Sequence, residues 1–396
     1  MGKLDTDILI SGGGIAGRIA ACAFGSAGYS VLCVDPQPAS GKAIVDLRST
    51  AFWQPARDLL QSAGLWTPLA PHAAPLQMMR IVDAGGAQAE TREIVDFDAD
   101  EISDEPFGWN FPNAELRKAT GARIAALAQV TLLQGVAFGS VTTRLDRVIV
   151  RLSDGRQVNA RLLIGADGRE SAVRTAVGID AKTWRYGQKA LVFSVTHPEP
   201  HHDVSTEIHR TGGPFTLVPL ADHKGLAHSA IVWMETGPRA LELAALGVEE
   251  FEAAITERSA GMFGPLRLVS GRAVWPIISR LAARLTARRT ALIAEAAHVV
   301  PPIGAQGLNM SLADIATLLN ATGHAPDDPG ADRVLATYQS QRWSAIRKRV
   351  HGVDLLNRAS MAENPLLRDL RRAGLLAIER TGPLKRTLMR AGLGKT

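Results

Sequence analysis

The chain has 396 residues, of which 46% are apolar and 21% charged, and a formal net charge of +5; this is an ordinary globular balance, with enough apolar mass for more than one core. No apolar run reaches the roughly 18–20 residues that span a bilayer, and the two cysteines, Cys22 and Cys33, form neither a disulfide framework nor a metal-ligand spacing. The positive charge is confined to the tail, where eight Lys and Arg from Leu366 onward face only Asp369 and Glu379, so the body lacks the basic surface that nucleic-acid binding needs.

Met1–Asp7 runs directly into a short apolar stretch and does not read as a secretory leader, so a reducing cytoplasm is the expected location. Asp7–Ser11 predicts a buried strand, Ile15–Ala27 a helix and Ser30–Asp35 a second strand, the start of a βαβ unit. A helix is expected over Thr50–Ala63, then a hairpin of Met78–Ala84 and Ala89–Phe97 turning at Gly85-Gly86. Asn113–Leu127 is helical by pattern, and short strands with a turn at Ser153-Asp154-Gly155 lead to Arg161–Gly165. From Ala181 to Trp275 the pattern is mostly extended, with a hairpin of Phe215–Leu220 and His228–Met234 and helices at Pro238–Leu246 and Val248–Ser259. Ala291–Ala294 returns to a short strand, Gln306–Asn320 is helical, and the rest from Ala331 is helical in three pieces broken near Pro365 and at Gly382-Pro383.

This order implies a nucleotide-binding domain interrupted by another. Its three parts are 1–75, 101–180 and 276–330; residues 76–100 and 181–275 form a strand-rich substrate domain, and 331–396 a C-terminal helical region.

Gly12-Gly13-Gly14-Ile15-Ala16-Gly17 is a G-x-G-x-x-G placed directly after a strand and opening a helix. Gly12 permits the tight turn, Gly14 lets the backbone approach a pyrophosphate, and Gly17 allows close helix–strand packing; Asp35 closes the second strand, where a carboxylate accepts from a ribose. Two further segments favour FAD over NAD. Leu163–Gly168 is a strand ending in a sharp turn with Asp167, followed by Arg169, Ser171 and Arg174. Leu292–His298 is another, with Glu295 at its end able to reach ribityl hydroxyls, followed by the turn Pro302–Asn309 that opens a helix. The amides and dipole of that helix end suit the negative charge of a reduced flavin ring.

With these motifs in this order, the chain resembles the flavin-dependent aromatic hydroxylases, the para-hydroxybenzoate hydroxylase class. More narrowly, it resembles their ubiquinone-biosynthesis branch, on Asp46–Ala51, Gly64-Leu65-Trp66, Asn113–Arg117, Phe215–Leu220 and the tail with Arg371, Gly374, Pro383 and Leu384. The resemblance implies an α/β fold: a discontinuous Rossmann-like FAD-binding domain of glutathione-reductase type, an inserted mostly β substrate domain and a C-terminal helical segment. It implies that Gly12, Gly14, Ala16, Gly17 and Asp35 hold the ADP part, with Val136 meeting the adenine through its backbone. Arg48, Asn113 and Arg117 would lie along the pyrophosphate and ribityl chain, Asp167 would serve both FAD and a transient nicotinamide, and Glu295 would bind the ribityl or pyrophosphate portion. Pro302, Gly304, Gln306, Gly307, Leu308 and Asn309 would border and position the flavin ring. The family usually has Gly-Asp where this chain has Ala294-Glu295.

The implied reaction is reduction of FAD by NADPH or NADH and oxygen transfer from a flavin C4a-hydroperoxide, formed with O2, to a prenylated phenol of ubiquinone biosynthesis. No second strand–GxGxxG–helix exists, which matches transient nicotinamide binding; no general acid or base is assigned. Two alternatives stay open: a monooxygenase of a small soluble aromatic acid, with an Arg-lined pocket, and a weakly catalytic FAD-binding component of a quinone-biosynthesis complex. Leu384, Leu388 and Met389 alternate with arginines in the tail, so it offers either a contact for the inner membrane face or a biosynthetic complex, or a cap packed on the body. His298 reads as a structural hydrogen-bonding residue, Arg169 and Arg174 as nicotinamide-phosphate guides or surface ion pairs, and Trp53, Trp109 and Trp184 as core more than substrate stackers. His197, His201 and His202 are interrupted by Pro198 and Pro200 and do not make a metal site.

Overall fold

The computed structural model describes residues 3–38, 46, 48–84, 91–210, 212–361, 378–379 and 381–394. Its first sheet is built on strand β1 (Lys3–Ser11), whose Ile8, Leu9 and Ile10 are fully buried because both faces of a central parallel strand are covered. On one side β1 pairs in parallel with β2 (Val31–Asp35), which pairs with β8 (Val130–Gln134). On the other it pairs with β11 (Gln157–Gly165), then β19 (Thr290–Leu292) and β18 (Thr286–Ala287). Strands β9 (Phe138–Thr143) and β10 (Val148–Leu152) extend from β11 as an antiparallel branch. Helix α1 (Ile15–Ser26) makes the β1–β2 crossover and is buried along nearly its whole length.

The second sheet has nine strands and is mostly antiparallel. Its centre is β12 (Ala181–His197), flanked by β15 (Leu226–Thr236) and β17 (Ala273–Ala282). Strand β14 (Pro214–His223) follows β15, then β13 (Val204–His209), β5 (Met78–Asp83) and β6 (Glu93–Asp98); β20 (His298–Val299) and β16 (Arg267–Leu268) complete it. Helices α6 (Gly237–Ala245) and α7 (Val248–Arg258) cover it around Phe193, Phe215, Trp233 and Phe251. The expected hairpin of 78–97 is present as β5 and β6; its turn at Gly85-Gly86 lies outside the described residues.

A third, small sheet joins the other two, and its central feature differs from expectation. Thr50–Ala63 is not one helix: Ser49–Trp53 is strand β3, and helix α2 runs only over Gln54–Ser62. Thr50, Phe52 and Trp53 are strand-favouring, and Pro55 sits in the first turn of α2, where a missing N–H costs nothing. Strand β3 pairs antiparallel with β7 (Gly108–Pro112), and β7 with β4 (Ala74–Leu76). Helix α4 (Asn113–Ala126) starts where β7 ends.

Helices α8 (Gln306–Gly323) and α9 (Asp332–Ser360) close the chain over both large sheets. Tyr338 of α9 donates to the Leu292 carbonyl at 2.8 Å, while Asp354 and Asn357 bond Tyr186 and Gln188 of β12. The break expected at Gly382-Pro383 is present: residues 378–379 are helical, Thr381 is not, and the final helix, Gly382–Leu393, starts afresh with proline in its first turn. The break expected near Pro365, and the basic run at Arg368, Arg371 and Arg372, lie outside the described residues.

Candidate FAD and substrate site

Three turns emerge side by side because three parallel strands end together. Ser11 of β1 is in register with Gly165 of β11, and Gly165 with Leu292 of β19. The chain therefore leaves the sheet at Gly12, Ala166 and Ile293 along one carboxyl edge, the place where open α/β sheets bind ligands.

The first turn is locked by its neighbours. Gly12 has φ +109°, and a Cβ there would lie 2.3 Å from the Ala166 carbonyl oxygen. A Cβ on Gly17 would lie 1.8 Å from the Gly12 oxygen, so helix α1 and the turn touch backbone to backbone. At Gly14 a Cβ would meet nothing within 4 Å: that side of the turn faces open space at the start of α1. Arg18, buried, donates from Nε to the Gly13 carbonyl at 2.8 Å and holds the turn from behind; Ala16 is buried on the helix. Asp35 is brought against Gly13, and the Val136 amide donates to its carbonyl at 3.0 Å, so the expected ribose and adenine positions are neighbours.

Arg48, Asn113 and Arg117 are gathered by the β3–β7 pairing. The Asn113 amide donates to the Arg48 carbonyl at 3.0 Å, and its side chain bonds Asp46 and Thr50. Arg48 forks onto Asp46 at 2.7 and 2.8 Å and lies 5.0 Å over the Trp275 ring of β17, spanning two sheets. Burial works against the Asp46 carboxylate, but the Arg48 and Asn113 hydrogen bonds outweigh it and hold its pKa below the ordinary value. The Asp46 hydrogen bond raises Arg48 in turn. Arg117 lies one turn beyond Asn113 on α4, half-buried, and makes no ion pair among the described residues.

Asp167 is used inside the protein: it accepts from the Ser171 hydroxyl and from the Val173 amide, fixing the start of the short helix Ala172–Ala176. Arg174 is buried, donating to the Ala296 and Arg169 carbonyls at 2.9 and 3.0 Å, so it ties the second turn to the third and does not guide a phosphate from the surface. Glu295, with its side chain 47% exposed, faces Arg169 at 3.4 Å. The strand expected over Ala291–Ala294 stops at Leu292; Ala294–Ala296 is a 3-10 turn, and Ala294 itself has φ +55°. The methyl group that replaces the family's glycine therefore sits in the left-handed region.

The loop before α8 leaves Pro302 exposed and Ile303 buried, and enters the helix through Gly304 at φ +59° and Ala305 at φ +50°. Gly307 is exposed, with nothing within 4 Å of a Cβ, and Leu308 is half-buried. Gln306 donates to the Gly304 carbonyl at 2.8 Å and accepts from Arg349. The Asn309 side chain is fully occupied: it bonds Ala51 and Ala305 through Nδ2 and Trp53 through Oδ1. Behind the loop, His298 bonds Asp314 at 2.7 Å and Arg342 bonds it at 2.9 Å, the structural role expected of His298.

The arrangement fits a flavin dinucleotide. Two glycines whose Cβ positions are open, Gly14 and Gly307, stand at two helix N-termini, where free amides and dipoles favour anionic groups. Sequence reasoning missed Arg18, Asp46 and Asp314, which act by holding site residues in place. Asp46 was visible only as part of a motif.

Residues 5–352 match the family described as FAD binding domain. The chain belongs to that family. It is 34% identical to ubiquinone hydroxylase UbiL of Rhodospirillum rubrum over 98% of this chain and 89% of that protein. It is 28% identical to 3-demethoxyubiquinol 3-hydroxylase of Escherichia coli over 98% of each. Among solved structures, p-nitrophenol 4-monooxygenase PnpA from Pseudomonas putida superposes with a TM-score of 0.80 at 18% identity, covering 99% of both chains. PqsL of Pseudomonas aeruginosa, solved with 2-aminobenzoylacetate, gives 0.76 at 24% identity, covering 94% of this chain and all of that one. The fold is thus the glutathione-reductase-type FAD fold expected from the sequence, and the protein is an FAD-dependent monooxygenase of this family.

Proposed function

We propose that this monooxygenase hydroxylates the ring of a prenylated phenol on the route to ubiquinone, using O2 and electrons from NADPH or NADH. The observation that carries the reading is the surface meeting the flavin-side turn. Ala305 packs against a cluster of Ala51, Trp53, Leu76, Phe107, Met389 and Leu393. The face of the small sheet that supplies Ala51, Trp53, Ala74, Leu76 and Asn110 bears no charged side chain. A small aromatic acid needs a cation there, whereas an isoprenoid-bearing ring needs apolar surface and few polar groups. The names of the R. rubrum and E. coli relatives point the same way.

FAD, when bound, supplies hydride acceptance and oxygen transfer; the chain binds, orients and excludes water. The amides at Gly12–Gly17 and the α1 N-terminus would take the pyrophosphate, Asp35 a ribose hydroxyl and Val136 the adenine through its backbone. Arg48, Asn113 and Arg117 would follow the pyrophosphate and ribityl chain, with Glu295 on the ribityl side and Asp167 fixing the turn beside it. The first-turn amides of α8, at Gln306, Gly307, Leu308 and Asn309, would stabilise negative charge on the reduced ring, with Pro302 and Gly304 setting its position.

Among the described residues no helix is long and apolar enough to cross a membrane. The final helix turns Met389 and Leu393 inward, pairs Lys385 with Glu101, and leaves Leu384 and Leu388 44% and 43% exposed beside Arg386 and Arg390. That surface would bring the enzyme to the membrane face or a biosynthetic complex, near a lipid-soluble substrate. Deleting the gene and analysing quinones by mass spectrometry tests the function: a precursor short of one ring oxygen should accumulate, and an unchanged quinone profile would overturn it.

A further inference from the structure

Trp53 and Asn110 are 5% and 1% exposed, yet Trp53 Nε1 and Asn110 Oδ1 have no hydrogen-bond partner. A buried polar atom left unpaired costs about 1–3 kcal/mol, so such atoms in a native fold call for a reason. These two share one surface. Ala51 is directly opposite Asn110 and Trp53 directly opposite Gly108 in the β3–β7 pair, so both side chains leave the same face of the small sheet.

Both also have fixed positions. Asn309, in the first turn of α8, binds the Trp53 amide at 2.9 Å and the Ala51 carbonyl at 2.8 Å, tying β3 to the turn that meets the flavin ring. Asn110 Nδ2 donates to the Pro219 carbonyl of β14 at 2.8 Å, tying β7 to the substrate sheet. Trp53 belongs to the cluster that contains Leu76, Phe107, Met389 and Leu393, with Ala305 and Val218 packed against it. One free donor and one free acceptor thus stand on an otherwise apolar face between the flavin-side turn and the substrate sheet.

We propose that this face seats the oxygenated ring of the substrate: the Trp53 N–H donates to one ring oxygen, and Asn110 Oδ1 accepts from a ring hydroxyl. The inference rests on the ring-hydroxylase reading and refines it, since it requires a phenol or catechol-type ring carrying a free O–H, not a fully methylated ether. Neither residue supplies or removes a proton. They are positioning residues that hold the ring's oxygens while water is excluded around it.

The test uses the FAD-loaded enzyme, a 2-polyprenylphenol and its O-methyl ether. In Trp53→Phe an aromatic ring stays in the cluster and the donor is lost. Substrate affinity, read from the perturbation of the flavin absorption without any reductant, should fall about tenfold. The melting temperature of the apoprotein should stay level or rise, because an unpaired buried donor has been removed. In the wild type the O-methyl ether should bind about tenfold more weakly than the phenol. Unchanged affinity in Trp53→Phe, or equal binding of phenol and ether by the wild type, would overturn the proposal even in an active hydroxylase. A wild type in which no phenol stimulates NAD(P)H oxidation would instead overturn the reading beneath it.

Discussion

The side-chain oxygen of Asn309 accepts from the Trp53 amide at 2.9 Å while its amide group donates to the Ala51 and Ala305 carbonyls, each at 2.8 Å. One side chain thereby takes the place of a neighbouring strand along the free edge of β3, and at the same time closes the first turn of α8. In Asn309→Ala the Trp53 amide and the Ala51 carbonyl would be left without partners. The expected loss is about 2–3 kcal/mol of stability, with weaker FAD binding, measured by denaturant unfolding and by titration of the apoprotein with FAD.

The two glycines Gly14 and Gly17 should fail differently. Gly14 has φ −66° and ψ 177°, open to any residue, and its Cβ position is empty. Gly14→Val is therefore expected to fold with stability within about 0.5 kcal/mol of the wild type but to lose the flavin. Gly17→Ala forces a methyl group onto the Gly12 oxygen and should cost about 1–3 kcal/mol as well. Thermal melts of the apoproteins, together with flavin absorbance, separate the two.

How far the sequence could be read follows from the length of its signals. The βαβ opening, the helix at Asn113 and the long strands around Phe193 and Trp233 each span enough residues for a period to show. The small sheet does not: Ala74–Leu76 has three residues and Gly108–Pro112 five, and they pair across a long stretch of chain. Most of the strand Ser49–Trp53, from Thr50 on, reads as part of the following helix, although Pro55 marks where that helix begins. The turns after β1, β11 and β19 were legible because glycine spacing is local. The bracing roles of Asn309, Arg174 and Asp314 were not, because their partners lie on other elements.

Ala294, at φ +55°, holds a backbone conformation that costs an L-residue about 1–2 kcal/mol. Ala294→Gly relieves this but loosens the unfolded chain, offsetting about 0.4–1 kcal/mol. A net gain of about 0.5–1 kcal/mol is expected, seen as a higher denaturant midpoint with an unchanged slope.

Asp314 is fully buried between His298 and Arg342 and also receives the Ala294 amide at 3.2 Å. Burial raises its pKa, but the charges and hydrogen bonds of His298 and Arg342 outweigh burial and carry it below the ordinary value. A carboxyl lowered in the folded state stabilises the fold above its unfolded pKa of about 3.9. That contribution is lost as pH falls through the lower folded value, so unfolding free energy should decline in acid from about pH 4 downward. Asp314→Asn, which leaves the partly buried Arg342 facing a neutral amide, should cost about 3 kcal/mol at neutral pH and flatten the acid slope. Urea unfolding followed from about pH 7 down to about pH 3 reads both.

The most direct measurement supplies FAD-loaded protein with NADPH, 18O-labelled O2 and a 2-polyprenylphenol, and weighs the product. The account predicts one 18O atom on the ring, with reductant oxidation stimulated by the phenol and not by a small aromatic acid. Stimulation by the acid alone, or reductant consumed with no oxygen on either ring, would contradict it.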